Sequence, residues 1–81
     1  MPIEVIVYHQ PGCGPCHAAM DYLTKKGVPF VAKDIAASEA AQKELMALGS
    51  RSTPTIKVGD EVMIGFSPSR LAKLLAEARE A

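Results

Sequence analysis

Ile3, Val5, Ile6, Val7 and Tyr8 form a β-branched and aromatic run that Pro11-Gly12 breaks, and a few residues later the apolar spacing changes from strand-like to helical. From Gly14 onward Ala18, Ala19, Tyr22, Leu23 and Lys26 fall at helical spacing. Pro15 is allowed in the first turn, and Gly27 closes the helix behind Lys25 and Lys26. Val28 to Ile35 then reads as a second strand, begun by Pro29 and carrying Phe30 and Val31. Two strands joined through a helix need a crossover connection, so they are expected to lie parallel.

The rest of the chain extends the pattern. Ser38 opens a helix as its N-cap, Ala41, Leu45 and Leu48 line its apolar face, and Gly49 stops it. Pro54 to Val58 makes a third strand, Gly59-Asp60 a tight turn and Glu61 to Ile64 a fourth, so the last two strands should form an antiparallel hairpin. Ser67-Pro68 caps a final helix with Leu71, Leu74, Leu75 and Ala78 on one face. The order is βαβαββα, an α/β chain with a four-stranded mixed sheet flanked by three helices. With 81 residues and no linker, repeat or low-complexity tract, residues 1–81 read as a single domain. A hydrophobic content of 48% and a charged content of 22% point to a packed core rather than disorder.

Nine basic and nine acidic residues cancel, so no global field draws the chain to nucleic acid or anionic lipid. The start, Met1-Pro2-Ile3-Glu4, lacks basic residues, and its apolar run is too short for a signal core or membrane span. We therefore read the protein as cytoplasmic and expect a monomer that meets a partner protein or small molecule. In a reducing compartment, a pair of cysteines three apart is a catalytic or metal-binding pair before it is a structural one.

Cys13 and Cys16 are the only cysteines, and Gly14-Pro15 between them restricts the backbone. They straddle the boundary between the Pro11-Gly12 loop and the first helix, where unpaired N–H groups and a partial positive charge stabilise a thiolate. Cys13 is the expected nucleophile. Cys16, one turn further in and more shielded, is the expected resolving thiol, which cleaves a mixed disulfide formed by Cys13. Two cysteines can also be simple buried hydrophobes, but Gly14-Pro15 and Pro11-Gly12 mark an exposed turn that a core position would not need.

Two rivals use the same residues. Cys13-Gly14-Pro15-Cys16-His17 satisfies Cys-x-x-Cys-His, the pattern of covalent haem attachment in c-type cytochromes. Against it, the motif follows a strand where such a cytochrome has helix, attachment normally requires export, and Pro15 stiffens the loop. Nothing marks a second axial ligand among methionines such as Met46 and Met63. A structural zinc site would draw on Cys13, Cys16, His9 and His17. His17 is adjacent to Cys16, however, so its ring points away from the pair's shared face. We expect no bound metal.

Thr53-Pro54-Thr55 is the second feature. X-Pro bonds are cis in only about 5–6% of cases in folded proteins, so the dipeptide alone says little. Beside a Cys-x-x-Cys loop, a cis bond there would turn the Thr53 backbone outward to pair with an extended substrate.

With Cys13-x-x-Cys16 at a helix start, Thr53-Pro54 after Arg51, and Gly65 before the last helix, the chain from Ile3 through Leu75 resembles the thioredoxin-like superfamily, and within it the short glutaredoxin branch. That resemblance implies the thioredoxin-like fold, a cis Pro54 facing Cys13, and Thr53 backbone bonds to substrate. Glutathione-using glutaredoxins typically carry a basic residue three before the first cysteine, a Tyr inside the motif and Gly-Gly-x-Asp before the last helix. Here stand Gln10, Gly14-Pro15 and Gly65-Phe66-Ser67-Pro68, with Arg51 left as an anion contact.

Gly65-Phe66-x-Pro68 and His17 look instead like the NrdH-type redoxins, glutaredoxin-shaped proteins reduced by thioredoxin reductase that supply electrons to ribonucleotide reductase. Gly14-Pro15 is the dipeptide of thioredoxins. A potential near about −270 mV, against roughly −200 to −230 mV for glutaredoxins, would favour electron donation by more than about 1.4 kcal/mol. The resemblance thus implies a thiol-disulfide oxidoreductase whose only redox group is the Cys13–Cys16 disulfide. Electrons would come from NADPH through thioredoxin reductase, or from glutathione. Gly14, Pro15, Thr53, Pro54, Gly65 and Phe66 are the expected substrate contacts. The alternatives are a glutathione-dependent glutaredoxin or a metal- or haem-binding module through Cys13, Cys16 and His17. Phe66 has a core-packing reading beside the partner-contact one, while Lys25, Lys26, Arg70 and Lys73 read as solvated helix faces.

Overall fold

The computed structural model describes residues 4–80, so the expected start of the first strand at Ile3 lies outside the described residues. The elements follow in the order β1 (Val5–His9), α1 (Gly14–Lys25), β2 (Val31–Asp34), α2 (Glu39–Ala47), β3 (Thr55–Val58), β4 (Glu61–Ile64) and α3 (Pro68–Glu80). They form one sheet in the order β2-β1-β3-β4. β1 runs parallel to β2 with Ile6 opposite Val31, and antiparallel to β3 with Tyr8 opposite Thr55. β3 and β4 make the expected hairpin, with Val58 opposite Glu61 across Gly59-Asp60. Among the described residues no helix is long and apolar enough to cross a membrane.

Successive strand side chains point to opposite faces. Val5 and Val7 of β1 join Ile56, Val58 and Met63 on one face, where Ala19 and Leu23 of α1 and Leu71 of α3 cover them. Ile6 and Tyr8 point the other way, toward Leu45 of α2 with Ile35 and Leu48 beside it. β1 is therefore covered on both sides, which explains why its apolar run is continuous rather than alternating. Burying these side chains, at roughly 1.5–3 kcal/mol each, supplies most of the favourable free energy of folding.

One sequence expectation needs correction. The second strand is shorter than Val28 to Ile35. At its start the Val28 N–H donates to the Leu23 carbonyl, 2.9 Å away, which ties Val28 to the end of α1 instead of the sheet. Pro29 has no N–H to give a ladder. At its far end the Asp34 carboxylate accepts from the N–H groups of Ala36 and Ala37, and this side-chain turn bends the chain away even though the Ile35 N–H still reaches the His9 carbonyl. The buried stripe of α1 is Cys16, Ala19 and Leu23, and Ala18, about 100° round the helix from Ala19, is exposed.

The helix starts agree with the sequence. The Ser38 hydroxyl accepts from the Ala41 N–H at 3.1 Å. At α3, Pro68 is the first residue and the Ser67 carbonyl accepts the first helical bond, from Leu71 at 2.9 Å.

Candidate functional site

The site lies at the end of the sheet where β1 runs out. Pro11 and Gly12 turn the chain there, Gly12 with φ 79, the arrangement of a type II turn with Pro then Gly at its centre. Cys13 follows in an extended conformation, φ −92 and ψ 100, as the N-cap of α1, with Pro15 in the first turn. Its Sγ accepts from the Cys16 N–H at 3.2 Å, and its carbonyl accepts from the His17 N–H at 3.3 Å. The sulfur thus takes the place of the hydroxyl or carboxylate oxygen usual at an N-cap. No acidic side chain occupies the first turn of α1, so the dipole is not offset there.

Cys13 and Cys16 are joined by a disulfide, with Cα atoms 5.2 Å apart. Their environments differ. Cys13 is half-buried, whereas Cys16 is 1% exposed on the inward stripe of α1. Gly14, Pro15 and His17 are exposed around them.

The Thr53-Pro54 peptide bond is cis. Pro54 is buried and Thr53 half-buried. The pairing of Tyr8 with Thr55 sets the chain leaving β1 toward Cys13 beside the chain entering β3 from Pro54, so both features occupy the same end of the sheet. Gly65 arrives there from β4, and its N–H donates to the Pro54 carbonyl at 2.8 Å. Gly65 has φ 89, a left-handed conformation that side chains rarely adopt. Phe66 is half-buried, packed on the α1–α3 side of the core and edge-on to Tyr22 of α1, with ring centroids 5.8 Å apart. Lys26 places its Nζ 5.7 Å from the centre of the same Tyr22 ring.

The remaining candidates scatter. His9 is half-buried at the end of β1, and Gln10 and Arg51 are exposed. Met63 packs in the core with Val5 and Leu71, while Met46 is exposed on α2, across the sheet from α1. Among the described residues no three His, Cys, Asp or Glu side chains gather as a metal site.

Sequence reasoning missed three residues that hold the loop before β3. The Ser52 N–H donates to the Ser50 hydroxyl at 3.2 Å, and the Ser50 and Thr55 hydroxyls lie 2.7 Å apart. The Thr55 hydroxyl in turn donates to the Ser52 carbonyl at 2.7 Å. Ser50 and Thr55 are 2% and 0% exposed, which is unusual for such small polar groups unless they are bonded. The only sequence signal was the density of Ser and Thr around Pro54, which reads equally as a solvated loop.

Comparison with known proteins places this geometry. The family model for glutaredoxin matches residues 5–63. The Gene 56 protein of Mycobacterium phage L5 is 36% identical over 88% of this chain and 71% of its own length. The glutaredoxin-like protein NrdH of Lactococcus lactis subsp. cremoris is 30% identical over 86% of this chain and 97% of its own. Among solved structures, the glutaredoxin-like NrdH-redoxin of Escherichia coli, reported with a thioredoxin-like activity profile, superposes with a TM-score of 0.79 at 27% identity, covering 88% of this chain and 93% of that one. With a Cys-x-x-Cys disulfide at the start of the first helix of a thioredoxin-like fold, and with these likenesses, the chain is a thiol-disulfide oxidoreductase of the glutaredoxin family, of the NrdH-type redoxin kind.

Proposed function

We propose that this redoxin reduces protein disulfides by a dithiol mechanism, with Cys13 attacking and Cys16 resolving. The observation that carries the reading is the asymmetry of the pair: Cys13 is half-buried at the N-cap of α1, and Cys16 is almost wholly enclosed. In the reduced protein the Cys13 thiolate, stabilised by the N–H groups of the first turn, attacks one sulfur of a substrate disulfide. The substrate S–S bond breaks, a Cys13–substrate bond forms, and the first substrate thiolate leaves and takes up a proton. Cys16 then loses its proton and attacks the Cys13 sulfur. The second substrate thiolate departs and is protonated, and the Cys13–Cys16 disulfide closes. The substrate has gained two electrons and two protons.

Gly14 and Pro15 present the exposed flank of the motif. Thr53 offers its backbone to an extended substrate, with Pro54, Gly65 and Phe66 shaping the adjoining surface. Recharging needs two electrons and two protons, which we assign to NADPH through thioredoxin reductase. Three features support that donor over glutathione: Gln10 in place of a basic residue, Gly14-Pro15 within the motif, and Gly65-Phe66-Ser67-Pro68 before α3. The likeness to NrdH-type redoxins makes ribonucleotide reductase the proposed acceptor.

The test is NADPH oxidation coupled to reduction of insulin disulfides, with thioredoxin reductase in one arm and glutathione plus glutathione reductase in the other. Turnover is expected in the first arm. Turnover only in the second would assign the protein to glutathione.

A further inference from the structure

We propose that Ser50 and Thr55 are positioning residues that hold the Thr53 backbone in place for substrate through a closed ring of hydrogen bonds. The ring follows from counting hydrogens. The Thr55 hydroxyl has one proton, and it goes to the Ser52 carbonyl, 2.7 Å away. Thr55 Oγ1 is then the acceptor in its 2.7 Å contact with Ser50, and the single Ser50 proton goes to it rather than to the Ser52 carbonyl, which lies farther from Ser50 Oγ at 3.3 Å. Ser50 Oγ in turn accepts from the Ser52 N–H at 3.2 Å. The path runs from the Ser52 N–H through both hydroxyls back to the Ser52 carbonyl. Both polar groups of one exposed loop residue are thereby anchored to two buried side chains.

Each hydroxyl gives one bond and accepts one, the arrangement in which neighbouring bonds polarise and strengthen one another, and burial keeps water from competing. Thr55 is itself held by β3 in register with Tyr8, so the ring ties the Ser52 peptide to the sheet immediately before Thr53. On the other side Pro54 is fixed through its carbonyl by the Gly65 N–H. Thr53 stands between two anchored neighbours. Its own backbone polar groups appear in none of these anchoring bonds, which leaves them for an added strand. This inference rests on the reading that substrate pairs with the Thr53 backbone.

The experiment measures kcat and KM for a protein disulfide in the native protein and in the Ser50→Ala, Thr55→Val and Thr55→Ser variants, together with the alkylation rate of reduced Cys13 by iodoacetamide. Losing one buried hydrogen bond should raise KM about five- to tenfold in Ser50→Ala and Thr55→Val. Alkylation, which needs no backbone pairing, should stay within about twofold, and Thr55→Ser, which keeps the hydroxyl, should restore KM to within about twofold of native. An unchanged KM in both truncated variants overturns the proposal, as does an equal loss in alkylation, which would mean general disruption. Amide hydrogen exchange in the native protein covers the case in which the variants do not fold. The Ser52 amide should be protected, and exchange at the rate of an unstructured amide would remove the ring. A native protein inactive on every protein disulfide would instead bring down the reading of the site itself.

Discussion

Tyr8 of β1 donates its hydroxyl to Glu44 of α2 at 3.0 Å, and Lys33 of β2 binds the same carboxylate oxygen at 2.6 Å. The trio joins the central strand, its parallel neighbour and the helix that covers them. It lies on the α2 face, where a groove of about 440 Å³ runs between Ile6, Val31, Lys57 and Leu48. It is therefore a structural device, and its signature is pH dependence of stability.

Burial, then the hydrogen bond to the Glu44 carboxylate and its negative charge, pushes the Tyr8 phenol from 10.0 to about 12. The folded protein thus holds this proton where the unfolded chain loses it. The stabilisation is complete below about pH 10 and declines as pH rises toward 12, by no more than about 3 kcal/mol in all. Urea titrations between pH 9 and 12 should show this decline. In Glu44→Gln the phenol, followed by its ultraviolet absorbance, should titrate lower but stay above 10, because burial, the largest cause, remains. An unmoved titration would count against the charge of Glu44.

The acid side has the opposite sign. The Lys33 hydrogen bond, and after it that from Tyr8, holds the Glu44 carboxyl below its ordinary value. Its contribution is present above the usual carboxylate range and is lost as pH falls through the lowered value. Glu44 is substantially exposed, so solvent screening keeps the effect small. Lys33→Met should flatten the acid limb of the stability profile, and an acid limb identical to native would show that the pair contributes nothing.

Replacing Cys13 by Ser should reduce protein-disulfide turnover to background, and replacing Cys16 by Ser should leave substrate trapped on Cys13 as a mixed disulfide visible on a non-reducing gel. Normal turnover in the Cys13 variant would sink the assignment of roles.

At Gly65 a Cβ would meet open space, yet φ 89 is a conformation that L side chains avoid. Gly65→Ala should therefore cost about 1–2 kcal/mol from backbone conformation alone. In a domain of this size each kcal/mol corresponds to about 4–8 °C in Tm. An unchanged Tm would mean that this turn relaxes without penalty.

Tyr22 and Phe66 should show a coupling of about 0.5–1.5 kcal/mol in a double-mutant cycle on urea stability, the range for edge-to-face aromatic pairs. Additive single effects would reduce their contact to ordinary area burial. The pair bears on the site because Phe66 follows Gly65 and Tyr22 belongs to the helix that Cys13 caps.

The strand and helix order was legible because each element carries its own punctuation: Pro11-Gly12 after β1, Ser38 before α2, Gly59-Asp60 between β3 and β4. β1 was the clearest strand since burial on both faces keeps polar residues out of it. β2 was drawn too long because Phe30 and Ile35 are apolar for packing against the two cores from beyond the ends of the strand. The cysteine motif was legible as chemistry from its spacing, and the family resemblance supplied the cis Pro54. The Ser50–Ser52–Thr55 ring and the Tyr8–Glu44–Lys33 trio were not legible, because hydroxyls and charges show no periodicity and find their partners only once the backbone has folded.

The register of Tyr8 opposite Thr55 also has a consequence for the protein while it is being made. Cys13 and Cys16 emerge from the ribosome before Thr53, Pro54 and Gly65, which arrive only after α1 and α2 have been synthesised. A nascent chain ending at α2 would carry the thiol pair without β3, the strand that pairs with β1 and brings Thr53 and Pro54 to the same end of the sheet. On the substrate contacts proposed for Thr53, Pro54 and Gly65, selectivity belongs to the finished polypeptide and reactivity to the segment that carries the cysteines.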